Sequence, residues 1–388
     1  MASAPLERVA ATAANRRAGS CVRSAKLEAV RWHDAEEALT LAEWDDLARS
    51  ASEPNPFCES WNLLPALAAF ARRPVDLLTL RIDGMLCALM PLARSGSYYG
   101  YPIRHMANWS HDNLFVGSPL VRHGCEQAFW RALLVWADTH SKGALFLHLD
   151  RLAEDGPLFA ALSRIAAEET REWAVVQREE RALLHSDLAP EAYFECSISS
   201  KKRKELRRQH KRLSEEGEVR FERQADADGL DGWIDAFFAL EAAGWKGRNG
   251  SALANDPHTR DWFGQTLRGA AAQGRLERLT LSLDSAPIAM LANFIAPPGA
   301  FSFKTAYDEG YARYSPGVLL QRENLDLLAR GDIAWCDSCA AADHPMIERI
   351  WREKRAMVRV NVAIGGRLRR ALFHHMLRAE TARRSRRS

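Results

Sequence analysis

The sequence predicts an α/β fold built from two similar units, and three observations carry that expectation. VDLLTLRIDGMLCALMPLA (75–93) and RLERLTLSLDSAPIAMLANFIA (275–296) each read as strand, tight turn, strand. Leu78-Thr79-Leu80 recurs as Leu279-Thr280-Leu281, 201 residues further on. After each hairpin the elements follow in one order: helix, strand, helix. A chain of 388 residues is also too long for one compact core, and at about 150 residues per domain it suggests two or three.

Residues 1–26 are rich in Ala, Arg and Ser and lack the apolar stretch of a secretory signal, so a disordered lead-in is favoured over an organelle transit peptide. Residues 27–70 look helical and loop-like, anchored by Trp44, Leu47 and Trp61. Asp83-Gly84 marks the turn of the first hairpin. A loop rich in Tyr, Ser, His and Asn covers 95–118; 124–140 is an amphipathic helix, 144–150 a strand and 156–169 a helix. In the second half, 316–332 reads as a helix, 332–338 as a strand and 344–357 as a helix. The units are placed at 27–190 and 191–372, with a basic tail at 373–388 whose end, RAETARRSRRS (378–388), is expected to fray.

Hydrophobic residues make up 47% and charged residues 27%, ordinary for a soluble globular chain. A net charge of +3 gives nucleic acid no bulk electrostatic support. Seven cysteines, at 21, 58, 87, 125, 196, 336 and 339, form no secreted disulfide framework and point to a reducing, cytoplasmic setting. No stretch approaches the ~20 apolar residues of a membrane helix.

The chemistry concentrates in FSFKTAYDEGYARYSPGVLL (301–320). Phe301, Phe303, Thr305 and Tyr307 alternate with Ser302, Lys304, Ala306 and Asp308, which places the two sets on opposite faces of a strand. Lys304 and Asp308 then share a face about 13 Å apart, flanking a cleft rather than pairing. Ser315 reads as an N-cap and Pro316 as the first residue of a helix, the kind of helix start where phosphates bind. Asp308 suits either a general base or a cap on its own turn. Asp337, at a strand end, suits either a ligand crevice or an Asx turn. His344 suits acid–base work or a structural place before Pro345. Trp245 and Lys246 follow the end of a helix containing Glu241; the indole fits a cover over a ligand or closure of the core. The segment 197–217 is a helix crowded with cations, among them Lys201, Arg203 and Lys204, around a thin Leu206/Leu213 stripe. So much positive charge at a helix start opposes the macrodipole, so the helix is either a solvated surface or a grip for an anion, protein or nucleic acid. Cys336-x-x-Cys339 is one pair alone and makes a weak metal signal; no metal ligand set is assigned.

Taken together, the SKKRKELRR run (200–208), LEAAGWKG (240–247), Tyr307-Asp308-Glu309 through Tyr314-Ser315-Pro316-Gly317, His344-Pro345 and WREKR (351–355) resemble the GNAT acyltransferase superfamily. The match is nearest to its tandem-domain CelD-type branch, linked to cellulose and exopolysaccharide synthesis and related to Fem-type aminoacyl transferases. The resemblance implies two units, each a mixed, mostly antiparallel sheet with a splayed central strand pair flanked by helices, the second unit being catalytic. It implies an acyl-CoA donor in the splay, its pyrophosphate at Arg313, Tyr314, Ser315, Pro316 and Gly317. Lys304, Tyr307, Asp308, Asp337 and His344 are the catalytic candidates; Glu241, Trp245, Lys246, Lys201, Arg203 and Lys204 are the substrate-binding ones. The acceptor it implies is an amine or hydroxyl of a saccharide. The usual phosphate turn has two glycines where this chain has Gly317 alone. Fem-type relatives with altered turns use aminoacyl-tRNA, which stands as the alternative donor. A non-catalytic module docked on polysaccharide-synthesis proteins is the further alternative.

Overall fold

The structure, a computed structural model, describes residues 24–384, with side chains through residue 380. The first half contributes β1 (Ala25–Arg31), α1 (Ala35–Ala38), α2 (Leu41–Arg49), α3 (Ser60–Phe70), β2 (Val75–Ile82), β3 (Met85–Ser95), β4 (His105–Asn108), β5 (Leu120–Val121), α4 (Glu126–His140), β6 (Phe146–Ala153), α5 (Pro157–Glu168) and β7 (Trp173–Leu184). The second contributes α6 (Pro190–Ser197), α7 (Ser200–Glu216), β8 (Val219–Gln224), α8 (Leu230–Ala243), the single turn α9 (Trp245–Arg248), α10 (Pro257–Ala272), β9 (Leu276–Leu283), β10 (Ala286–Ala296), β11 (Gly299–Tyr307), α11 (Pro316–Glu323), β12 (Trp335–Asp337), β13 (Glu353–Ala363) and α12 (Arg367–Arg384).

The hairpins form as their turns dictate. Asp83 and Gly84 (φ 50° and 85°), and Asp284 and Ser285 (φ 48° and 67°), sit in the left-handed region that a tight two-residue turn requires. Both hairpins belong to one mixed sheet of order β1-β2-β3-β4-β6-β13-β7-β12-β11-β10-β9-β8, with β5 beside β3. The order reads nearly the same from either end, as two related units predict. The halves do not close on themselves, however: β13 lies between β6 and β7, and β7 lies between β13 and β12. Each half lends its last strand to the seam.

The core follows the same plan. On one face a single cluster joins Leu77 and Leu89 of the first half to Phe263, Met290 and Phe303 of the second, with α3 packed on α10. The other face is covered by α4 and α5 over the first half and by α6, α7 and α11 over the second.

Four expectations are corrected. Ala25 and Lys26 already belong to β1, paired with Ile82 and Arg81, so the lead-in is shorter than 26 residues; residues 1–23 lie outside the described ones. The helix expected over 344–357 is a short 3₁₀ turn (Ile347–Arg349) followed by β13, because Val358, Val360 and Val362 carry the strand alternation back through the preceding residues. The expected frayed end is helical over its described residues 378–384, as part of α12, which also buries Phe373 against Phe146. Finally, the alternation along β11 breaks. Ala292 pairs with Lys304 but Asn293 with Ser302, a bulge that leaves Phe303 unmatched and turns Ala306, not Thr305, to the Phe301/Phe303 side.

Candidate active site

The two parallel pairings of the sheet are both short. β11 and β12 pair through Gly299–Phe301 and Trp335–Asp337, after which β12 ends and β11 runs on to Tyr307 with that edge unpaired. A cleft of about 870 Å³ opens there. Ser302 to Thr305 and Tyr307 form its floor, Ser315 to Val318 one end, Lys202 and Leu206 of α7 a side, and the 338–350 loop the roof.

In the first half, β4 and β6 pair only at Met106–Ala107 and Leu147–His148, but this gap is closed by the chain itself. The Asn108 amide donates to the carbonyls of Gly117 and Asp150, at 2.9 Å each, and accepts from the Asp150 N–H at 2.8 Å. A Cβ on Gly117 would lie 2.0 Å from the Asp150 carbonyl, so only glycine lets the segment thread the gap. That same segment goes on to serve the other half: Phe115 lines the second cleft, and Asn113 Oδ1 accepts from Lys304 Nζ at 2.7 Å.

Lys304 therefore stands at the junction of the halves. Its ammonium lies 5.4 Å and 5.5 Å from the ring centres of Phe115 and Phe303. Burial pushes its pKa down to about 8, and the nearby positive charge of Lys246 adds to the effect. Tyr307 also lines the cleft, as do Trp245, half exposed, and Lys246. His344 faces it too; burial lowers its pKa, and its Nδ1 has no hydrogen-bond partner. Among the described residues lining the cleft there is no carboxylate; of its cations, Lys202 and Lys246 are paired with Glu205 and Glu241 just outside the lining, while Lys304 and Arg349 form no ion pair among the described residues.

The remaining candidates fall elsewhere. Asp308 accepts from the Gly310 N–H at 2.8 Å, capping its own turn outside the cleft lining. Asp337 is fully buried between Arg181 (2.7 Å) and Arg355 (3.1 Å); burial alone would raise its pKa, but the two guanidiniums hold it below the usual carboxylate range. It ties β12 to β7 and β13 and touches no ligand space. Glu241 is buried too: one oxygen holds Lys246 Nζ at 2.6 Å, the other accepts from the Leu253 N–H at 2.8 Å, so it positions a cleft lysine rather than a substrate. Arg313 pairs with Glu216 at 2.6 Å and stacks on Tyr314, whose hydroxyl also binds Glu216; both tie the turn to α7. Arg203 donates to the carbonyls of Glu195 and Ile198, closing the end of α6. Lys201 and Lys204 point to solvent. Lys202 is the cleft residue of this helix, and the sequence held the signal for it: it lies one turn before Leu206 on the buried stripe.

At the start of α11, Ser315 has φ 56° and its side chain makes no cap; its carbonyl instead accepts from Val318 and Leu319. Pro316 has no N–H, which leaves the Gly317 amide as the uncommitted donor of this turn. Lys202, whose ammonium pairs with Glu205 at 3.0 Å, lines the same cleft as Gly317.

Residues 200–355 match the acetyltransferase (GNAT) domain. The matched segment contains α7, β11, α11, β12 and the roof loop, hence nearly the whole cleft, and supports an acyltransferase. Similar solved structures include FemX (10% identity, TM-score 0.54, covering 83% of this chain and 96% of that one) and a conserved protein of unknown function from Bacteroides thetaiotaomicron (12%, 0.53, 84% and 98%). A tandem GNAT protein from the clavulanic acid biosynthesis pathway aligns at 17% identity and a TM-score of 0.43, over 88% of this chain and 99% of that one. With the first two the likeness is one of fold, over both halves. No curated protein matches the sequence. Among the described residues no helix is long and apolar enough to cross a membrane.

Proposed function

We propose that the chain moves an acyl group from acyl-CoA to an amine or hydroxyl of a saccharide-related acceptor. One observation carries the reading: in the segment that matches the GNAT domain, β11 and β12 part after Phe301, and a lysine of lowered pKa stands in the gap. The unpaired edge of β11 offers backbone N–H groups to the tetrahedral oxyanion. A nucleophilic amine must shed a proton as the intermediate forms, and the cleft groups able to take it are the deprotonated fraction of Lys304, which its lowered pKa enlarges, and His344 rather than a carboxylate. Gly317 N–H and Lys202 meet the donor's phosphates, and Trp245 offers a face to the acceptor. The resemblance of the second half to CelD-type proteins supports a saccharide acceptor. Free thiols at Cys58, Cys87, Cys125, Cys196, Cys336 and Cys339 suit a reducing compartment. Calorimetry with acetyl-CoA and longer acyl-CoAs tests the donor: saturable binding, weakened in Lys202→Ala, is expected, and no binding to any of them overturns it.

A second reading, an aminoacyl-tRNA donor, is favoured by one feature of α7. Lys201, Lys204, Arg207, Arg208, Lys211 and Arg212 are exposed and make no ion pair among the described residues, on a helix whose Lys202 reaches the cleft. A polyanion there would displace counterions, so filter binding of bulk tRNA should fall steeply between two salt concentrations. Absence of binding at low salt removes this reading.

A further inference from the structure

The first half holds a second cavity, of about 350 Å³, on the far side of the seam from the Lys304 cleft. We propose that this cavity binds a neutral, hydroxyl-rich ligand, a saccharide ring, at a site separate from the acyl-transfer cleft.

Its rim is a strained tyrosine. Tyr98 and Tyr101 exchange backbone hydrogen bonds of 2.9 Å and 3.0 Å, closing a two-residue turn whose central residues, Tyr99 and Gly100, have φ 46° and 84°. Glycine, asparagine and aspartate occupy such positions readily; a bulky aromatic residue does so at a cost. The cost brings a ring that is 57% exposed to the cavity mouth, its hydroxyl donating across to Gln177 Oε1 at 3.4 Å. The Tyr99 ring meets the buried Tyr98 edge-to-face, 4.6 Å between centres, and is otherwise open to solvent; backbone strain of this kind gathers at binding sites.

The floor is polar and electrically balanced. Asn361 Nδ2 donates to the Tyr98 hydroxyl at 2.8 Å, which fixes the amide with Oδ1 toward His148 Nδ1, 2.6 Å away. His148 therefore carries its proton on Nδ1 and keeps an Nε2 lone pair. His105 Nδ1 likewise faces the Ile103 carbonyl at 3.3 Å. Burial lowers the pKa of both imidazoles. Asp150 accepts from Arg359 Nε at 2.6 Å and from Ser110 Oγ at 3.3 Å, so the one carboxylate and the one guanidinium of the lining cancel.

Those features exclude other ligand classes. An anion would meet the Asp150 carboxylate, and burial disfavours the charged form of the two imidazoles that could offset it. Among the described residues no cluster of three metal-ligating groups exists, and an apolar ligand would strip water from the imidazole, carboxylate and guanidinium groups without replacing it. A sugar ring supplies hydroxyl donors for the two Nε2 atoms and for Asp150, acceptors for Arg359, and C–H groups for the Tyr99 face.

Saturation-transfer NMR on the full chain, with maltotriose, cellotriose and chitotriose as probes, tests the proposal. At least one should receive saturation, and Tyr99→Asn should lose it while melting at or above the wild-type temperature, since asparagine accepts the left-handed turn. Lys304→Met should bind the same probe unchanged. The proposal is overturned if no probe binds, if Tyr99→Asn still binds, if its melting temperature falls along with binding, or if Lys304→Met abolishes it. The last result would place the sugar in the acyl-transfer cleft and leave that reading standing.

Discussion

Lys304 joins a stability effect to a catalytic one. Its pKa in the folded chain is about 8, against 10.5 for an ordinary lysine. Between those values the unfolded chain holds a proton that the folded chain has given up, so this group makes stability rise with pH across that window. Below it the fold carries the cost of a charged, enclosed ammonium. Lys304→Met should remove that slope and stabilise the protein at neutral pH by on the order of 2 kcal/mol, one pKa unit being worth about 1.4 kcal/mol before discounting for partial exposure. Urea unfolding at neutral and alkaline pH measures both. The same variant should lower the acyl-transfer rate about 100-fold or more, and abolish the rise in wild-type rate as pH passes through about 8. A variant as active as the wild type would remove Lys304 from the chemistry.

β11 shows how one element sets the width of the cleft. At its first residue a Cβ would lie 2.4 Å from the Trp335 ring, so Gly299 is what lets β12 pack close before the strands part. The ring is not a side-chain tip that can swing aside; it meets Phe301 edge-to-face with ring centres 5.3 Å apart, and Arg355 lies 4.5 Å from its centre. Gly299→Ala should therefore cost about 1–3 kcal/mol in chemical denaturation and raise the donor KM by moving β12 relative to β11. Much at this scale was legible in the sequence. The Asp83-Gly84 turn, the strand-then-helix order of β11 and α11, and the Leu206/Leu213 stripe are local signals that the structure reproduces, although Ser315 makes no cap. The bulge at Phe303 was not, because it depends on the pairing with β10. Nor was the role of Asn113 and Phe115, which reach Lys304 from about half a chain away and carry no spacing signature.

At the scale of the molecule, the exchange of last strands makes the halves dependent on each other. β13 pairs with β7 from Glu353↔Leu183 to Val362↔Trp173, and with β6 from Met357↔Ala153 to Ala363↔Phe146. A chain ending at residue 190 would leave β6 and β7 with facing edges and no strand between them. One beginning at 191 would leave β13 unpaired and hold β12 by three residue pairs with β11. The buried Arg181–Asp337–Arg355 group, one residue from each of β7, β12 and β13, locks this seam. Asp337→Asn leaves two buried guanidiniums without their counter-charge and should cost about 3–5 kcal/mol. If the seam governs folding, that loss falls on the whole protein and not on the second half alone. Calorimetry of the intact chain should then show one transition, and Asp337→Asn should lower it as a unit. Fragments 1–190 and 191–388 expressed apart should lack cooperative unfolding by circular dichroism, and should regain it when refolded together. Two separable transitions, or a cooperatively folded fragment, would show instead that the exchanged strands decorate two self-sufficient domains.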